Sequence, residues 1–256
     1  MFRGSLLSVL VASWLVPLNL RGDSYEIPSF DLARDFSADK NPNGPWTIGS
    51  FNHTYSGKLD ELQNLPAYGK LTFTKTERAW SAGGLRGWGG ISTGLFGASP
   101  TATGVVKNFG TTTTYAVPAG SIAVFPQNGP IVVRWTAPKN GNIDLRAKYV
   151  DLTDIAGFPE VWVVQNQAVR SPLHYQKAYT RPGKAADHFA PAAWSGGRKS
   201  EYRGTISVVA NDTIDFVVDP MYTVCPGHSE HPDGNATDTI GLTATIDYIV
   251  DSGFTD

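Results

Sequence analysis

The chain has 256 residues, a formal net charge of −2, 27 glycines and a single cysteine, Cys225. Its 21 basic and 23 acidic residues are interspersed, which leaves no basic stripe for nucleic acid and no polybasic run for anionic lipid. One cysteine excludes an intrachain disulfide, so stability must come from the core; about 230 mature residues suffice, burying on the order of 70% of their unfolded surface.

Met1–Ser5 carries one positive charge, Arg3, and no acid. An apolar run extends from Leu6 to Leu20, interrupted by Ser8, Ser13, Pro17 and Asn19, and Arg21-Gly22-Asp23-Ser24 closes it with small residues at Gly22 and Ser24. That order predicts a secretory signal peptide over 1–24 with cleavage near Ser24–Tyr25; the alternatives are a buried N-terminal strand or an uncleaved anchor. The run is too short and too broken to span a membrane, and no later stretch reaches spanning length, so residues 25–256 are expected as a soluble, extracellular, single domain. Sequons at Asn52, Asn211 and Asn235 make it a glycoprotein if the host glycosylates.

Lys58–Leu65, with Leu59 and Leu62 recurring before Pro66, predicts the one short helix. From Gly69 onward the pattern is strand, turn, strand: Leu71 and Phe73 alternate with Thr72 and Thr74, and Val105-Val106 and Thr111–Val117 bracket Asn108-Phe109-Gly110. Gly83–Gly90 is rich in glycine but bridges no strand to a helix, and reads as a flexible loop. Ser121–Phe125 and Ile131–Trp135 follow turn-rich Pro118-Ala119-Gly120 and Gln127-Asn128-Gly129-Pro130. In Asn142–Val150 the residues Ile143, Leu145, Ala147 and Tyr149 share one face and Asp144, Arg146 and Lys148 the other, the period of a half-buried strand. Glu160–Gln165 reads as a central strand, and Ser171–Glu201 as a loop-rich segment over one end. Thr205–Val209 and Thr213–Val218 flank Ala210-Asn211-Asp212, which reads as a tight hairpin, and Ile240–Ile249 is the last strand. Many short strands without βαβ alternation predict an all-β fold, an antiparallel two-sheet β-sandwich of jelly-roll type. Ile143, Leu145, Tyr149, Val161, Val163, Ile206, Val208, Ile214, Phe216, Leu242 and Ile246 are its expected core.

Three segments carry a resemblance: Asp35–Gly49, with Asn41-Pro42-Asn43-Gly44-Pro45-Trp46; Trp135–Gly141 followed by Val161–Asn166; and Ile206–Val218 closing with Asp238–Leu242. Together they resemble a group of secreted jelly-roll proteins from environmental bacteria, many of which carry a C-terminal PEP-type sorting signal. The resemblance covers most of the mature chain in patches and implies a carbohydrate-binding or galactose-binding-like sandwich; its motifs specify fold better than activity. The sequence closes on Gly253-Phe254-Thr255-Asp256 instead of a sorting tail, and has Asn211-Asp212 where the group tends to have Gly-Asp. Physically, Asn-Pro-Asn-Gly is a turn, Trp46 can plug the sandwich edge, and Pro138 ends a strand because it cannot donate to a ladder.

Cys225, His228 and His231 lie close enough in sequence to offer sulfur and nitrogen to a metal, though two prolines and a glycine stiffen that loop without aiming the side chains. Asp212, Asp233, Asp238 and Asp247, near strand ends, could hold a structural calcium; solvated turn aspartates are the plainer reading, and no other cofactor is expected. Glu160 beside Trp162 and Glu201 beside Tyr202 are imaginable acids for a glycosidase or lyase. No Gly-x-Ser-x-Gly or dinucleotide fingerprint occurs, and no residue is assigned a catalytic role. Trp80, Trp88, Trp194, Tyr175, Tyr179 and Tyr202 fall in loop-like stretches, where ring faces could stack on sugars or cap the sandwich ends. The leading expectation is a secreted, non-catalytic binding module for polysaccharide or cell-surface glycan. A carbohydrate-active hydrolase or lyase and a structural matrix or coat protein are the alternatives.

Overall fold

The computed structural model describes residues 27–51, 73–76, 79–82, 84–92, 101–114, 117–126, 130–152, 157–168, 171–176, 179–180, 199–219 and 239–250. The expected signal peptide and the expected helix at Lys58–Leu65 lie outside these residues.

The first elements are β1 (Ser29–Asp31), α1 (Leu32–Asp35), β2 (Trp46–Phe51), β3 (Phe73–Lys75), β4 (Ala79–Ala82) and β5 (Leu85–Ser92). Next come β6 (Thr101–Asn108), β7 (Ile122–Phe125), β8 (Ile131–Thr136), β9 (Gly141–Asp151), β10 (Gly157–Phe158) and β11 (Glu160–Gln165). The chain continues with β12 (His174–Gln176), β13 (Tyr179–Thr180), β14 (Lys199–Val208), β15 (Thr213–Asp219) and β16 (Ile240–Tyr248). One sheet runs β14-β9-β16-β7-β6-β5-β4, with β1 paired along β16; the other runs β12-β11-β15-β8-β2-β3, and β10 pairs β13 separately. The pairings within both sheets are antiparallel, so the protein is a two-sheet β-sandwich, as the alternation of its strands predicts.

The alternation decides which side chains meet between the sheets. Ile143, Leu145, Ala147 and Tyr149 of β9, with Leu242, Ala244 and Ile246 of β16, face Val133 and Trp135 of β8, Val161 and Val163 of β11, and Ile214 and Phe216 of β15. Ile206 and Val208 complete the expected core, and every position assigned to it from sequence is buried. Each large aliphatic or aromatic side chain so buried contributes roughly 1.5–3 kcal/mol of transfer free energy. The Tyr149 hydroxyl, deep in this layer, donates to the Trp162 carbonyl at 2.6 Å, and burial raises its pKa well above the ordinary tyrosine value.

Four local expectations need correction. The Ala210-Asn211-Asp212 turn is no hairpin, because β14 pairs with β9 in one sheet while β15 pairs with β8 and β11 in the other. Its chemistry is the expected one, with Asn211 at φ 74, but it carries the chain across the sandwich as an arch. The segment from Ala137 to Asn140 crosses beside it, and the two are stitched by Asn211 N donating to Ala137 O at 2.8 Å and Ala137 N to Asp212 O at 2.7 Å. Second, Gly83–Gly90 is not a flexible loop: Leu85–Ser92 is β5, and its glycines let backbones approach so closely that a Cβ on Gly87 would collide with the Val105–Val106 backbone. Third, the loop-rich segment Ser171–Glu201 carries strands that its sequence does not announce, since β12 and β13 lie within it and β14 begins at Lys199. Fourth, sequence reading misses α1, a single turn capped by Asp31, whose carboxylate accepts from Arg34 N at 2.8 Å.

The outer faces of the sheets differ. In the first sheet Leu85, Val106, Ala123 and Phe125 form a second apolar cluster with Val117, and Leu152 packs against it. Gly241 makes room for that packing; a Cβ there would lie 3.2 Å from the Leu152 side chain. Beyond this cover, no described residue packs over the Arg146, Lys148, Glu201 and Arg203 side of β14, β9 and β16.

Candidate functional site

The open face follows from the same period of two that builds the core. With Leu145, Ala147 and Tyr149 inward, Asp144, Arg146 and Lys148 of β9 must point outward. The register then places Lys148 between Glu201 and Thr243, and Arg146 between Arg203 and Thr245. These six residues surround a shallow concavity of about 350 Å³.

The charges on this face are shared in the plane of the sheet. Asp144 accepts from Arg146 Nη2 at 2.6 Å and Nε at 3.1 Å, and lies 3.6 Å from Arg203 Nη2. Glu201 sits between Lys199 at 3.4 Å and Lys148 at 3.5 Å. Lys199 first, and then Lys148, hold the Glu201 carboxyl below its ordinary pKa, while Asp144 raises that of Arg146. Ion pairs this exposed contribute little to stability, and most N–H donors of the two guanidiniums remain in solvent.

The outer face of the second sheet has the opposite character. Trp162, Val164, Val132, Val217, Glu160, Asp215 and Asp219 are all buried there. Arg134 forks onto Asp215 through Nε at 2.6 Å and Nη2 at 2.8 Å; burial pushes the Asp215 carboxyl up, and the Arg134 hydrogen bond and charge offset part of that. Glu160 and Asp219 are directly opposed on β11 and β15 and are 1% and 2% exposed.

The expected aromatic platform does not assemble among the described residues. Trp88 belongs to the core, and its indole N–H donates to the Ser37 carbonyl at 2.7 Å, so it offers no open ring face. Tyr175 lies against Trp162 with ring centroids 4.2 Å apart, and its hydroxyl donates to Glu160 at 3.2 Å. Tyr202 is on the inward side of β14, packed on the core and 5.9 Å from the His174 ring, whose Nε2 shares a 2.6 Å hydrogen bond with the Ser200 hydroxyl. Trp80 is on β4 and Tyr179 on β13, with side chains outside the described set; Trp194 lies outside it entirely. Of these six aromatic positions only Tyr202 belongs to the segments around the concavity.

Of the expected metal ligands, Asp212 and Asp247 are among the described residues, and each serves a different element. Asp212 accepts from Val209 N at 2.9 Å and from Asn166 Nδ2 at 3.0 Å, which makes it a turn-holding residue. Asp247 accepts from the Ser29 hydroxyl at 2.6 Å on another element. Asp233, Asp238, Cys225, His228 and His231 lie outside the described residues, as do the sequons at Asn52 and Asn235, whereas Asn211 is exposed on its arch. Among the described residues no three His, Cys, Asp or Glu side chains gather as a metal-binding group, and no helix is long and apolar enough to cross a membrane.

No family model and no curated protein matches the chain. Solved structures similar to it include the K3 cleaved adhesin domain of Lys-gingipain from Porphyromonas gingivalis W83, at 12% identity and TM-score 0.29, covering 50% of this chain and 73% of that one. A family 35 carbohydrate binding module from Clostridium thermocellum is 10% identical with TM-score 0.25, covering 60% of this chain and 85% of the module. The carbohydrate binding module CBM6cm-2 from Cellvibrio mixtus lichenase 5A, solved with cellotriose, is 7% identical with TM-score 0.21, covering 68% of this chain and 92% of that one. At these TM-scores the likenesses carry no argument about the site.

Proposed function

We propose that this protein is a secreted, non-catalytic glycan-binding module whose ligand lies across the outer face of β9, β14 and β16. The observation that carries the reading is that face itself. Hydroxyl, guanidinium, ammonium and carboxylate groups are aligned on three neighbouring strands around an open concavity, whereas the described residues on the outer faces of β8, β11 and β15, and those of the Leu85–Phe125 cluster, are mostly buried. A sugar chain presents hydroxyls along both edges, and rows of donors and acceptors on a flat sheet can pair with them. Secretion after removal of residues 1–24, and membership of the sorting-signal group, are parts of this proposal that rest on sequence motifs alone.

The hydrolase alternative would use two facing carboxylates, and Glu160 with Asp219 is the facing pair the register provides. Their burial keeps a polymer away from them, which favours binding over hydrolysis. The test is a glycan array with residues 25–256, read beside a reducing-sugar release assay. Retention of at least one polysaccharide class without new reducing ends is the expected result. Released reducing ends would establish the hydrolase, and retention of nothing would leave the structural protein.

A further inference from the structure

The register of the open face sets two like charges directly opposite each other: Arg203 is the cross-strand partner of Arg146. Like charges at facing positions destabilise a sheet, and among the described residues β14 ends its sheet, with β9 as its one neighbour. Asp144 relieves the pair only in part, because its close contact is with Arg146, while Arg203 stands 3.6 Å away with a side chain 70% exposed. One step further along the same row, Thr245 adds a hydroxyl as the partner of Arg146 on β16. In the next row but one Lys199 adds a cation, ~14 Å from the Arg203 position at the antiparallel rise per residue. Among the described residues Arg146, Lys148, Lys199 and Arg203 pair with Asp144 and Glu201, and Asp247, opposite Asp144 on β16, adds a third acid, so the face keeps a small cationic excess in a chain whose net charge is −2.

We infer that the row Arg203–Arg146–Thr245 seats the sulfate ester of a sulfated polysaccharide, with Lys199 and Lys148 meeting the next anionic group along the chain. A planar carboxylate can be satisfied by the fork of a single guanidinium, and Arg146 already turns two of its N–H groups to one oxygen, Oδ2, of Asp144. Two opposed guanidiniums and a hydroxyl in one row offer three donor groups, which match the three terminal oxygens of a sulfate ester. The fixed charge of that ester supplies what the facing arginines lack. This inference rests on the glycan-binding reading and narrows it to one ligand class.

The experiment titrates residues 25–256 with dextran sulfate, with unmodified dextran and with polygalacturonate at physiological ionic strength, by calorimetry. Arg203→Gln and Arg146→Gln are compared with Arg86→Gln, which removes the same charge from β5 at the far side of the sheet. Circular dichroism confirms that each variant keeps its strands. Dextran sulfate is expected to bind, dextran not to bind, and polygalacturonate to bind more weakly. Arg203→Gln and Arg146→Gln should each weaken dextran sulfate about tenfold, the loss of one charge-assisted pair, while Arg86→Gln leaves it unchanged. Equal losses from Arg86→Gln and Arg203→Gln would reduce the effect to net charge and overturn the inference. Polygalacturonate binding as tightly as dextran sulfate would overturn the sulfate assignment, and unaltered binding by both arginine variants would overturn the site. In each of those cases the broader reading stands, because it fails only if the array retains no glycan of any kind.

Discussion

Arg134–Asp215 and Arg146–Asp144 are the same chemical pair on the outer faces of two sheets in one molecule, and burial alone separates their roles. The Asp215 side chain is fully buried and held by a two-pronged fork, so removing the carboxylate takes a charge partner from a buried guanidinium. The Arg146 side chain is 51% exposed, and water can replace whatever Asp144 supplies. The first pair therefore belongs to the architecture of the second sheet. The second holds an arginine in place while leaving most of its donors free for a ligand.

The widest separation between these regions should appear in stability. Asp215→Ala is expected to cost about 3–5 kcal/mol by urea denaturation, the usual penalty for breaking a buried ion pair. Asp144→Ala should move the midpoint far less, and equal losses would show that the two faces are not different in kind. A smaller effect belongs to the arches that join the sheets. Asp212→Ala removes the acceptor for Val209 N–H and for Asn166, and should cost about 1–2 kcal/mol, as loss of a turn-capping side chain does.

The next contrast lies in pH dependence. Burial lowers the pKa of His174, so the unfolded chain binds a proton in a pH range where the folded protein does not. Stability is then full above the unfolded histidine value of about 6.5 and falls as pH drops through and below it. Thermal melts at descending pH should show that decline between neutrality and pH 5, and His174→Gln should flatten it. Glu201 sits on the open face, where Lys199 and Lys148 lower its pKa. Its contribution is present above the ordinary glutamate range and lost only as pH falls through the lowered value. Glu201→Gln should lower the denaturation midpoint at pH 7 only slightly, the smallest effect of the set, and should strengthen dextran sulfate binding by removing a competing acid. Weaker binding by this variant would break the contrast.

Much of the fold is legible in residues such as Ile143, Leu145, Ala147 and Tyr149, because a strand covered on one side must alternate and the alternation survives in a single sequence. The same alternation placed Asp144, Arg146 and Lys148 outward, so half of the candidate face was already written in β9. The rest was not, because which strands lie beside β9 is a long-range matter. Thr213 follows Val208 by only five positions, yet the two strands enter different sheets, and turn chemistry at Asn211 cannot tell a hairpin from an arch. Nor does Gly83–Gly90 resemble a strand by propensity; from Leu85 onward it is one, because bare backbone is what fits between β4 and β6. Trp88 misled for a related reason: its glycine-rich neighbours suggested a loop, whereas β5 turns its indole inward to Ser37. The facing of Arg146 and Arg203, about which the binding proposal turns, has no signature at the level of sequence spacing.

The central claim is that ligand lies across β9, β14 and β16, and backbone amide hydrogen exchange with and without the glycan retained on the array tests it most directly. The account predicts slowed exchange in Lys199–Val208, the exposed edge of the first sheet, with smaller protection in β16 and none in β8 or β15. Protection confined to the second sheet, or to segments away from β14, would contradict it.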